Sequence, residues 1–153
     1  MGLEEQMRIA PARDGDEKAV IALLRRQLDE HAIELPDARL ESAVVGMLRE
    51  ATRGFVLLAR DGDEPIGVAY VSFVWTLEHG GKSAWLEEIF VLPDRRSLGT
   101  GGKLLAAVLD RARAEGCAAL DLEVEADHAR ASHLYERAGF RQHHRTRWVR
   151  RVG

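Results

Sequence analysis

Val91-Leu92-Pro93-Asp94-Arg95-Arg96-Ser97-Leu98-Gly99-Thr100-Gly101-Gly102-Lys103-Leu104-Leu105 is the stretch whose reading decides the fold. It reads as the end of a strand, a short basic loop containing glycine, and the first turns of a helix with an apolar stripe. Such a layout gathers free backbone N–H groups and the positive end of a helix dipole at one point, which suits a phosphate group.

Working outward from it, Ala84 to Leu92 is a long strand entering the loop. Leu104, Leu105, Val108, Leu109 and Ala112 stripe the helix leaving it, which stops at Gly116. Ala118 to Val124 is the next strand, so the crossover helix from Gly102 to Glu115 should make it a parallel neighbour of 84–92. A helix from about Ala129 to Ala138 ends at Gly139, and a last strand is expected over Phe140 to Val149. Upstream, Met7 to Ala10 reads as a first strand, and Asp14 or Asp16 caps a helix carrying Ala19, Val20, Leu23, Leu24 and Leu28. A loop with His31, Glu34 and Pro36 leads to a second helix striped by Leu40, Val44, Met47 and Leu48. Strands at Phe55–Ala59 and Ile66–Trp75 are joined through Asp61-Gly62-Asp63-Glu64, and Glu78 to Lys82 is another hairpin connection. The expectation is an α/β (α+β) chain in the order β-α-α-β-β-β-α-β-α-β, with a mixed central sheet of about six to seven strands and four helices.

The 153 residues suggest one domain spanning 1–153. A net charge of −3 gives no basic footprint for a long nucleic acid. Cys117 is the lone cysteine, so no internal disulfide is available. His143 and His144 would point to opposite faces of a strand, and no metal site is expected. No segment approaches the roughly 20 apolar residues of a membrane span, and a cytoplasmic protein is expected.

Spacing discriminates among phosphate loops. A Walker A loop needs Gly-x-x-x-x-Gly-Lys-Ser/Thr, but Ser97 stands at the first Gly and Leu104 follows Lys103. The dinucleotide pattern Gly-x-Gly-x-x-Gly fits Gly99 and Gly101 and then meets Leu104. Arg96-Ser97-Leu98-Gly99-Thr100-Gly101 matches Arg/Gln-x-x-Gly-x-Gly/Ala after a strand ending Val-x-Pro. With it, the chain resembles the Gcn5-related N-acetyltransferases, the GNAT superfamily, of the small-amine (polyamine- and aminoglycoside-like) type. A second segment, His128-Ala129-Arg130-Ala131-Ser132-His133-Leu134-Tyr135-Glu136-Arg137-Ala138-Gly139-Phe140, resembles the family's Asn-x-x-Ala-x-x-Leu-Tyr-x-x-x-Gly-Phe, with His128 in place of Asn.

The resemblance implies an acetyl-CoA-dependent N-acetyltransferase, with CoA as co-substrate, no metal, and direct transfer to a small cationic amine. It implies that Ser97, Leu98, Gly99, Thr100, Gly101, Gly102 and Lys103 hold the pyrophosphate with Arg96 adding charge. Backbone N–H groups around Ile89, Phe90 and Val91 would bind pantetheine and the acetyl oxygen, with His128 at the pantetheine-contacting position. Tyr135 is the acid expected beside the thioester sulfur, since a phenol stays protonated at neutral pH yet can protonate a thiolate. Packing on the core is its common alternative role. Glu87 and Glu88 interrupt an apolar strand and are candidates for the base or the amine-holding carboxylate. Alternation should send only one of them into a given site, and the family register favours Glu87. His31, Glu34, Phe73, Trp75, His79 and Trp85 are further candidates for the acceptor side. Alternative readings are transfer to a protein, peptide or aminoacyl-tRNA, or a non-catalytic acyl-CoA-sensing module. The family also admits a homodimer.

Overall fold

The computed structural model describes residues 6–125 and 129–153. The chain divides into two compact units, the first running to Glu123 and the second starting at Val124, and each is described by itself. The first contains β1 (Met7–Pro11), α1 (Glu17–Glu30), α2 (Asp37–Arg49), β2 (Gly54–Asp61), β3 (Glu64–Thr76) and β4 (Gly81–Val91). A 3-10 turn (Pro93–Arg95), α3 (Thr100–Ala114) and β5 (Leu120–Leu122) complete it. The second contains α4 (Ala129–Arg137).

One sheet runs β1-β2-β3-β4-β5 in sequence order. The first four strands pair antiparallel, β2–β3 and β3–β4 through tight hairpins and β1–β2 across the α1–α2 pair, and β4 pairs with β5 in parallel through the α3 crossover. The two faces have separate cores. Val20, Leu23, Leu24 and Leu28 of α1 and Leu40, Val44 and Met47 of α2 cover Val56, Leu58, Val68 and Phe90 on one face. The opposite face receives α3, whose Leu104, Leu105, Val108 and Ala112 are buried. Gly67 permits the close approach: a Cβ there would lie 3.0 Å from Leu104 Cδ1 and 3.1 Å from the Phe90 carbonyl oxygen.

The sheet has five strands, not six to seven, because no strand forms over 140–149 among the described residues. Alternation in that stretch yields one row of Phe140, Gln142, His144, Thr146 and Trp148 and another of Arg141, His143, Arg145, Arg147 and Val149. Neither row is an apolar face to bury, and Trp148 and Val149 are exposed. α4 stops by a Schellman arrangement: Phe140 N–H donates to Tyr135 O and Gly139 N–H to Glu136 O, with Gly139 at φ +94°. The Tyr135 and Phe140 rings meet edge-on at 5.8 Å, the apolar contact that accompanies this helix end. No helix among the described residues is long and apolar enough to cross a membrane.

Candidate active site

β4 builds the site through one irregularity. Tyr70 pairs with Glu88 and Val71 with Leu86, so Glu87 is an extra residue in β4, a β-bulge. Alternation fails there, and the expectation that only one carboxylate enters a given site is corrected. Glu88 shares the face of its partner Tyr70, where Gln27 of α1 donates from Nε2 to Glu88 Oε2 at 3.0 Å. Glu87 accepts a hydrogen bond from Ser72 Oγ, and Ser72 lies two residues from Tyr70 on that same face. Both carboxylates therefore occupy the face covered by α1 and α2.

The bulge also rotates the backbone. Before it, Ala84 N–H donates to Ala119 O on the β5 side; after it, Leu92 N–H donates to Ile66 O of β3. Alternating back from Leu92 turns the N–H of Phe90 towards β3 and those of Ile89 and Val91 to the opposite edge. The β4–β5 ladder runs from Ala84–Leu120 to Leu86–Leu122, so those N–H groups point past its end. The carbonyls on this edge are capped by side chains. Ile89 O accepts from Gln27 Nε2 at 3.4 Å, and Val91 O from Arg96 Nε at 2.9 Å.

The loop after β4 has two residues in the left-handed region, Ser97 at φ +70° and Gly99 at φ +82°. Gly99 is the N-cap of α3 without a side-chain cap, and Lys103 N–H is the first to bond back, to Gly99 O at 3.1 Å. The N–H groups of Gly99, Thr100, Gly101 and Gly102 are thus the donors at the helix end. Gly101 and Gly102 do not have positive φ, and among the described residues nothing beyond their own chain neighbours and the helix's own backbone lies within 4 Å of a Cβ added to either. Neither conformation nor internal packing requires glycine there, whereas close approach of a phosphate to the backbone does. The cradle therefore fits a pyrophosphate.

Arg96, expected to add charge at the cradle, has its guanidinium engaged by Glu30 at 2.9 and 2.8 Å. The pair holds the end of α1 against the loop. The hydrogen bond from Arg96, reinforced by its charge, holds the Glu30 carboxyl below its ordinary value, and Glu30 raises Arg96 in turn. Tyr70 donates to Ala43 O of α2 at 3.3 Å. Burial, and then the Glu87 charge, push its phenol up to about 12.

Of the acceptor-side candidates, Trp85 is paired with Ser72 and shares the carboxylate face. Phe73 points to the α3 side, its ring 5.8 Å from Phe55 and 4.1 Å from Lys82 Nζ. Trp75 is exposed at the hairpin end, and His79 Nε2 lies 2.8 Å from Asp121 Oδ2. His31 caps the C-terminus of α1, and Glu34 lies in the following loop. Tyr135 lies on α4 in the second unit, and His128 falls outside the described residues. Reading the sequence missed Gln27, Tyr70 and Ser72. Gln27 did carry a signal, since it is a polar residue at a buried position of the α1 stripe.

The sequence model of the Acetyltransferase (GNAT) family matches residues 17–140. A mycothiol acetyltransferase of Clavibacter michiganensis subsp. michiganensis (strain NCPPB 382) is 45% identical over 89 residues, 56% of this chain and 26% of that protein. The uncharacterized N-acetyltransferase YhfO of Bacillus subtilis (strain 168) is 29% identical over 136 residues, 89% of this chain and 91% of that one. The solved aminoglycoside N-acetyltransferase AAC(6')-Iy, in complex with CoA, superposes with a TM-score of 0.81 at 22% identity, covering 95% of this chain and 94% of that one. This chain belongs to the acetyltransferase (GNAT) family.

Proposed function

We propose that the protein transfers an acetyl group directly from acetyl-CoA to the amine of a small cationic acceptor, as a single domain along the chain. The observation carrying this reading is the β4 bulge. It sets Glu87 and Glu88 on one face beside the edge to which the Ile89 and Val91 N–H groups point. Acetyl-CoA, when bound, supplies the acetyl group as a thioester. The Gly99–Gly102 N–H groups would hold its pyrophosphate, and those of Ile89 and Val91 its pantetheine and carbonyl oxygens. Glu88, half-buried and hydrogen-bonded by Gln27, takes the proton that the acceptor ammonium must lose, directly or through a water. Glu87, exposed and bonded by Ser72, holds positive charge on the acceptor. Tyr135 keeps a phenolic proton for the departing thiolate.

The names of the relatives support an amine on a small molecule: mycothiol acetyltransferases among curated proteins and aminoglycoside acetyltransferases among structures. The test is CoA thiol release with a panel of polyamines, aminoglycosides, mycothiol lacking its acetyl group, peptides and aminoacyl-tRNA. Small amines are expected to turn over fastest, with Glu88→Gln and Tyr135→Phe each lowering kcat about a hundredfold or more. Faster turnover of peptides or charged tRNA would replace the small-molecule reading. Tight CoA binding with no turnover of any acceptor would point to a sensor.

A further inference from the structure

Gln27 is a buried amide in a helix face otherwise made of Val20, Leu23, Leu24 and Leu28. A leucine would extend that stripe without the cost of desolvating a polar group, so its bonds need a role beyond core packing. Its Nε2 has two protons and two partners, Glu88 Oε2 at 3.0 Å and the Ile89 carbonyl oxygen at 3.4 Å. The first partner is the carboxylate placed on the α1 face by the bulge. The second belongs to the residue whose N–H points past the end of the β4–β5 ladder, since N–H and C=O of one strand residue share an edge.

We propose that Gln27 is a positioning residue for acetyl transfer: one amide from α1 fixes the Glu88 carboxylate and the Ile89 peptide relative to each other. The proton acceptor and an N–H donor facing the thioester are thereby held by a single side chain. This rests on the reading of Glu88 as the proton acceptor. A neutral donor suits the task. It orients the carboxylate without the full charge that would make it a poor base, as an Arg or Lys would. Other charged or titratable groups beside Glu88 include Glu87 on the same strand and Tyr70 across from it on β3, while His31 and the Glu30–Arg96 pair lie a turn beyond Gln27 at the end of α1. None is altered by substituting Gln27.

The experiment is a pH titration of the glutamate carboxyl carbons by NMR, with the Glu88 signal assigned by its loss in Glu88→Gln. It needs no acceptor. Gln27→Met keeps the shape and removes the donor, Gln27→Glu adds a like charge, and Gln27→Lys adds a cation. The Glu88 midpoint is expected to rise by about one to three pH units in Gln27→Glu and to fall by a similar amount in Gln27→Lys. It should rise by less in Gln27→Met, where the amide signal of Phe90, which shares its peptide group with the Ile89 carbonyl, also shifts. Thermal melts separate these effects from loss of folding, and any two folded variants suffice for the ordering. Added charge moves the Glu88 midpoint whatever the role of Gln27, so the neutral variant decides: a merely structural glutamine would lower stability but leave both the Glu88 midpoint and kcat of folded Gln27→Met at the parent values. An unchanged Glu88 midpoint together with unchanged kcat in folded Gln27→Met overturns the proposal. Ordered midpoints with full kcat in Glu88→Gln would instead overturn the acid–base role of Glu88, and the catalytic meaning of Gln27 with it.

Discussion

Replacing Gly101 and Gly102 together by alanine separates what the helix wants from what the ligand wants. Both lie in the first turn of α3, do not have positive φ, and among the described residues have nothing beyond their chain neighbours and the helix's own backbone within 4 Å of an added Cβ. A mid-helix Gly→Ala change stabilises by up to about 1 kcal/mol, and at a helix end about half of that is reasonable. The double variant should gain roughly 1 kcal/mol, raising Tm by about 2–4 °C in a chain of this size. Binding should move the other way. Methyl groups beside the Thr100–Gly102 N–H donors keep a phosphate from closing on the backbone. Loss of one charge-assisted hydrogen bond costs about 1.5–3 kcal/mol, roughly tenfold to a hundredfold in affinity. Calorimetric melts with and without CoA read both effects. At CoA one hundred times the parent Kd, the parent chain gains about 2.7 kcal/mol, and the variant should gain only about 1.4 to 0.4 kcal/mol. A more stable variant with an undiminished CoA-induced shift would refute the argument that these glycines exist for a ligand.

Gly54→Ala should be among the most destabilising single changes, because the φ of +152° disfavours any side chain and the new Cβ would collide with the Val71 carbonyl oxygen. A loss of about 3 kcal/mol or more, on the order of 10 °C in a melt, is expected; a loss under 1 kcal/mol would mean that the β2–β3 pairing adjusts freely. Ultraviolet titration should find the Tyr70 phenol ionising near 12, and Glu87→Gln should lower that value without returning it to 10, since burial is the larger cause. An unchanged midpoint would remove Glu87 from the surroundings of Tyr70. Glu30 has a folded-state pKa below its unfolded one, so its contribution is complete above about pH 4.5 and is lost as pH falls through the folded value. Glu30→Gln should melt lower than the parent at neutral pH by no more than about 1 kcal/mol, the two should converge in acid, and salt should shrink the difference.

The elements legible in the sequence were those with a strong period and a clear stop. α1, α2 and α3 follow stripes of apolar residues, and α3 ends where Gly116 at φ +79° and Cys117 donate to Arg113 O and Ala112 O. The parallel pairing of β4 with β5 followed from chain length and crossover chirality. The strand expected over 140–149 did not form because its residues offer no apolar face in either row. The glycine-containing junction between β4 and α3 was legible because glycine spacing is a local property. The ion pair that occupies Arg96 was not, since Glu30 lies 66 positions away in sequence and only folding brings it near.

The bulge at Glu87 lies between these cases. A bulge belongs to two strands at once, and a reading of one strand by alternation must assign Glu87 and Glu88 to opposite faces. Yet Leu86 pairs with Val71 and Ile89 with Ala69, so both apolar residues lie on the α3 face although three positions separate them. A regular strand places residues two apart on one face, never three. Leu86-Glu87-Glu88-Ile89 therefore either strands one apolar side chain on the wrong face or inserts an extra residue. The second solution keeps both apolar groups on the core side and turns both carboxylates to the other. It also exchanges the direction of every later N–H, which sends Ile89 and Val91 to the edge where β5 has ended. The same inserted residue thus sets the charge of the face and the donors of the edge. Deleting Glu87 to restore regular alternation should leave the antiparallel pairing intact while abolishing both acetyl-CoA binding and turnover; a deletion variant that folds and still binds CoA normally would show that the edge donors do not depend on the bulge.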